Sequence, residues 1–338
     1  MKSENAQGFA ERESRVPACW QNWTCTLPLL GAIMTLVPAI LTMLVWRKFP
    51  GLEIPIPQTD KLFFLINDLN ARTFWVVSGL ITVVCALVVI VSAAWVIHQS
   101  AKERPKLHRA IVLTFPLLIL TTVSILLQTE LGGYSDKLLE SFLLQISELE
   151  VEYKITTLSL SAIADYDSSI LNVLKMVSIG MLVAGFVTVL YTPNVTKFSV
   201  HEVRLQQKHL SLLLYTGTAV LIAGVIATYA FVRVPMVFLD GNTTVLKYMN
   251  EFAATITTAY GLLFTLCLAG TYLPTSLVVS ARARRLAYSA GKKEPEFDSQ
   301  TWLKEQGLAT SHFQYIGQAV AVLAPFLVSL SQLVGKFL

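Results

Sequence analysis

The chain has 338 residues, 54% of them hydrophobic and only 14% charged, with a mean hydropathy of +0.59. Soluble domains carry about 25% charged residues, so an ordinary water-soluble fold is excluded. The net charge of +4 is dispersed over separate short loops, which argues against a nucleic-acid-binding surface.

Residues 1–26 read as a mixed-charge cytoplasmic tail, and 27–338 as a single transmembrane domain. The tail has no basic segment leading into the first apolar run, so no cleavable signal peptide is expected. Seven apolar runs then qualify as spans: 27–46, 74–97, 110–127, 171–191, 210–232, 253–278 and 316–334. Each approaches or exceeds the roughly 20 residues needed to cross the hydrocarbon. The expected class is therefore an all-α polytopic bundle of seven transmembrane helices. The count falls to six if the first run, with Pro28 and Pro38 inside it and Arg47-Lys48 behind it, only dips into the interface.

Between the first two runs, Leu62, Phe63, Leu65, Ile66 and Leu69 form a short amphipathic piece expected to lie along the interface. Trp75 and Trp95, near the two ends of span two, read as interfacial anchors. The connection 128–170 holds eight acids against two lysines, and Leu139, Phe142, Ile146, Leu149 and Tyr153 repeat at helix-seam spacing. An extracytoplasmic amphipathic helix over 136–155 follows, folded on its own bundle or joining subunits in a collar. After span six comes the basic inner loop 279–315, with Arg282, Arg284 and Arg285 placed to dock lipid phosphates or a partner. The basic run extends span six as a helix until Glu294-Pro295-Glu296 breaks it. Asp298 or Ser299 then caps a short helix that Gly307 stops.

Basic residues set the orientation. With the N-terminus, 98–109, 192–209 and 279–315 inside, the inner segments hold sixteen Lys/Arg and nine acids, while the outer ones hold nine and thirteen. The excess predicts a cytoplasmic N-terminus and an extracytoplasmic C-terminus, in a plasma membrane and most simply a bacterial inner membrane.

Inside the spans the informative residues are small or polar. Ala254, Thr258, Gly261, Thr265, Ala269, Tyr272 and Ser276 fall on one face of span six, away from Leu262, Leu263, Leu266 and Leu273. Span four sets Lys175, Ser178 and Thr188 in its interior, and Lys175 is near enough to one end to snorkel. Such a stripe either packs helices closely or lines a hydrated path. No Asp or Glu lies within a span, which counts against proton- or sodium-coupled transport.

The five histidines (His98, His108, His201, His209, His312) cluster at the inner side, but without ligand spacing, so no metal is expected. Cys19 and Cys25 precede the first span, and Cys85 and Cys267 lie within spans; all four read as packing thiols. No hydrolase, nucleotide or dinucleotide motif is found, so neither a catalytic residue nor a cofactor is expected. These features favour an oligomeric pore or channel subunit, built as a homo-oligomer in the lipid bilayer and lined by the span-six stripe. The alternative is a non-conducting scaffold or sensor that docks a cytoplasmic partner through basic loops. A small-solute carrier is a weaker third reading.

Overall fold

The computed structural model describes residues 61–101, 172–190, 199–233, 236, 243–291, 298–309 and 312–334. Spans one and three, the acidic helix at 136–155, Cys19, Cys25 and His108 lie outside the described residues. Those described form α-helices with a few cap and turn residues, without a strand. The helices are α1 (Lys61–Ala101), α2 (Asn172–Leu190), α3 (Val200–Arg233), α4 (Thr243–Gly291), α5 (Ser299–Glu305) and α6 (His312–Val334).

Four helices contain segments long and apolar enough to cross a membrane: Leu69–Ser100, Val200–Arg233, Ala253–Gly291 and Gln314–Ser331. The apolar part of α2 is shorter, Val177–Leu190. The helices outrun the apolar stretches that mark them. The 41 residues of α1 are about 60 Å long at 1.5 Å per residue, roughly twice the hydrocarbon thickness. The piece around Leu62–Leu69, expected as a separate interfacial helix, is the opening of α1 itself. Residues 61–73 contain no glycine or proline, so nothing interrupts the backbone ladder. Likewise α3 begins at Val200 rather than near 210, because Ser199 and Glu202 form a capping box. The Glu202 amide donates to Ser199 Oγ at 3.2 Å, and the Ser199 amide donates to Glu202 Oε2 at 2.9 Å, satisfying two first-turn donors.

The central post is α3, which packs against α1, α2, α4 and α6. Its most apolar window is 61% buried, against 22% for α6. Small residues permit the close approach. Leu182 of α2 lies over Gly217 of α3, and Leu213 of α3 lies over Gly185 of α2, a reciprocal knob-and-gap pair. Phe186, Leu190, Leu213, Leu214 and Leu268 fill the continuous core around them. At the opposite end Trp75 packs inward on Ala230 and Phe231, its ring centroid 5.9 Å from that of Phe231. Trp75, read from sequence as an interfacial anchor, is thus 8% exposed, whereas Trp95 stays half-exposed at the other end.

Candidate functional site

Two polar assemblies hold the bundle, one in its middle and one at the end where α1 and α2 finish and α3 begins. The middle one is built around Pro325 of α6. Proline has no N–H, so the carbonyl four residues earlier, that of Ala321, loses its helical donor. Thr218 Oγ1 of α3 donates to that carbonyl at 3.0 Å. From α4, Thr265 Oγ1 accepts the Phe326 amide at 3.1 Å. Two threonines on two helices therefore satisfy the backbone around one proline break, the outcome a membrane interior demands. Gly261, one turn from Thr265, is buried against α6: a Cβ there would sit 2.6 Å from Ser329 Cβ and 2.8 Å from the Pro325 carbonyl oxygen.

The second assembly centres on Arg282, which is 8% exposed. Its Nη1 donates to Gln206 Oε1 at 3.2 Å and its Nη2 to the Leu190 carbonyl at 2.5 Å. Leu190 is the last residue of α2, where carbonyls lack helical donors and the helix dipole is negative; a guanidinium answers both. One turn along α3, a ring nitrogen of His209 bonds Gln99 Oε1 at 3.0 Å. Trp95 meets that ring edge-on at 5.2 Å. Beside it, the turn that follows α5 is clamped to α3: Arg204 Nη2 donates to the Gln306 carbonyl, and Gln207 Nε2 to the Leu308 carbonyl at 3.1 Å.

The residues singled out from sequence divide as follows. Gly261, Thr265 and Tyr272 are buried on the protein-facing side of α4, Thr258 and Ala269 half-buried beside them. Leu262, Leu266 and Leu273 are exposed. In α2, Ser178 and Thr188 are buried, Thr188 donating to its own-helix carbonyl of Ala184 at 2.7 Å. Lys175 is on the first turn of α2, its side chain outside the described set. Arg284 and Arg285 are exposed while Arg282 turns inward. On the stripe, Thr258 Oγ1 is buried without a hydrogen-bond partner among the described residues, and the buried Tyr272 hydroxyl has Ser276 beside it. His98 and His201 are exposed and His209 buried. Among the described residues no three of His, Cys, Asp and Glu gather as metal ligands.

Sequence reasoning did not find the Arg282–Gln206–Leu190 junction. Its only prior signal was a glutamine and a histidine three residues apart on an otherwise apolar helix face, with an arginine at the right height on a neighbouring helix. Comparison with protein-family models, with curated proteins and with solved structures returns no match.

Proposed function

We propose that the protein is a non-conducting membrane scaffold or sensor, which presents the exposed Arg285 and the solvent face of α5 to a partner on the cytoplasmic side. The observation that supports this reading is the Pro325 junction. The hydroxyl of Thr265 and the bare face of Gly261, which would otherwise line a path, are engaged by α6. The wider arrangement proposed is seven spans with the N-terminus inside and the C-terminus outside; if the first run only dips into the interface, six spans remain and the N-terminus moves outside. The acidic 136–155 helix then lies outside, and the chain assembles as a homo-oligomer in a bacterial inner membrane.

The test is flux through purified protein in sealed vesicles, combined with single cysteines at Thr258, Gly261 and Thr265. A scaffold gives no leak above empty vesicles, and its cysteines resist water-soluble thiol reagents while loop controls react. An ion leak with rapid labelling at all three positions overturns it.

A specific observation keeps a second reading: the buried Thr258 Oγ1, which has no hydrogen-bond partner among the described residues. In a pore subunit this hydroxyl meets water along the stripe of α4, with Lys175, Ser178 and Thr188 contributing from α2. Leak together with labelling at Thr258 decides for the pore, and saturable uptake of one solute for a carrier.

A further inference from the structure

The exposed leucine edge of α4 leads into a polar cleft. Leu262, Leu266, Leu273 and Leu277 are all exposed, Leu277 by 70%, and recur at the alternating four- and seven-residue spacing of one helix face. Continued in the same register, that face reaches Arg284 and then Tyr288, both exposed. These two side chains, with Ser299, Gln300 and Leu303 of α5, line a cleft of about 190 Å³. Arg284 lies about 10 Å beyond Leu277 along the helix axis, at 1.5 Å per residue, the step from acyl chain to headgroup. The Asp298 carboxylate, next in sequence to Ser299, is engaged in the cap of α5. Its oxygens already accept from the Gln300 amide at 2.9 Å and from Thr301 Oγ1 at 2.6 Å.

We propose that this cleft seats the phosphate of an anionic phospholipid whose acyl chains lie along Leu273 and Leu277. The Arg284 guanidinium supplies the charge-assisted donors, and the hydroxyls of Tyr288 and Ser299 supply further donors. The leucine edge makes the ligand a lipid rather than a free anion, because a free phosphate has no use for it. The proposal rests on α4 lying in a membrane and not on whether the bundle conducts, since Arg284 and Tyr288 are on the exposed face of α4, away from its buried face.

The full chain in mild detergent is titrated with phosphatidylglycerol, phosphatidylcholine and inorganic phosphate, and bound ligand is counted by native mass spectrometry. One phosphatidylglycerol is retained in preference to phosphatidylcholine and is not displaced by millimolar phosphate. Arg284→Gln lowers its occupancy about fivefold, the worth of one basic residue at a lipid surface. Ser299→Ala, on the facing helix, lowers it less. Arg285→Gln, exposed but outside the cleft, leaves it unchanged, and all three variants melt as the wild type. Equal loss in Arg284→Gln and Arg285→Gln, undiminished binding in Arg284→Gln, or equal retention of the two lipids overturns the site. Displacement by inorganic phosphate overturns the lipid assignment.

Discussion

Gly261 sets how near α4 and α6 can come. In Gly261→Ala the new methyl meets Ser329 Cβ and, more seriously, the Pro325 backbone oxygen at 2.8 Å, which cannot rotate away. Overpacking of this kind costs about 1–3 kcal/mol, read as a lowered melting temperature in detergent. Gly217→Ala meets a Leu182 methyl at a similar 2.8 Å, but that is the end of a flexible side chain, and the loss is smaller. Equal loss in the two variants would refute the distinction. Around Pro325, Thr218→Val leaves the Ala321 carbonyl without its donor, at about 0.5–2 kcal/mol for an interhelical bond. Pro325→Ala restores an N–H to the helix, so Thr218→Val costs less in that background; a double-mutant cycle with no coupling would remove Thr218 from this role. The proline break and the threonines are readable in sequence as types. Their pairing is not, because Thr218 and Ala321 are 103 positions apart.

At the scale of the element, α5 was the most legible, because its signals are local. Asp298 is its N-cap, with extended backbone and a side chain accepting from the Gln300 amide. Its end is a Schellman turn: the Gly307 amide donates to the Lys304 carbonyl at 3.0 Å and the Leu308 amide to that of Leu303 at 2.8 Å. Gly307 takes φ +64°, a conformation glycine adopts without penalty, and Leu303 and Leu308 bury their side chains. The hydrogen bond from Thr301, then that from the Gln300 amide, holds the Asp298 carboxyl below its ordinary range. A carboxylate with a depressed folded-state pKa stabilises above its unfolded value, near 3.8, and loses that contribution as pH falls through the folded one. Amide protection over 298–309, meaning exchange referred to the intrinsic rate at each pH, therefore stays high at neutral pH and falls once the pH drops below the ordinary carboxylate range. In Asp298→Ala protection is low at both; high neutral-pH protection in that variant would dismiss the cap. The start of α3 was equally readable from Ser199-x-x-Glu202, yet the apolar run drew the boundary ten residues late. Hydropathy marks where a helix enters lipid, not where it begins.

For the whole molecule, the proposed topology has α4 cross the membrane with its Arg284 end in the cytoplasm, the side that an excess of Lys and Arg favours. With native cysteines replaced, a cysteine at Ser289 reacts with an impermeant thiol reagent only after the membrane is opened. One at Lys247, exposed near the other end of α4, reacts in intact cells. The reverse pattern would invert the topology. The central place of α3 gives a further handle. Arg282 joins α4 to α2 and α3 together, so Arg282→Ala lowers stability by about 1.5–3 kcal/mol, the range for hydrogen bonds to a charged group. Arg285→Ala, on the surface, changes it little.

By itself the amino-acid order determined that the chain is helical, apolar enough for a bilayer, and marked by Asp298 and Gly307 at the ends of a short helix. Each of these depends on neighbours within a turn or two, or on the hydropathy of one continuous stretch. Which arginine turns inward, which threonine meets the proline break, and that α1 runs unbroken from Lys61 were decided only in three dimensions. The rotation of a helix about its axis is set by what packs against it. Arg282 and Arg284 are two residues apart on α4 and so point to different sides, and only the positions of Leu190 and Gln206 determine which side is the interior.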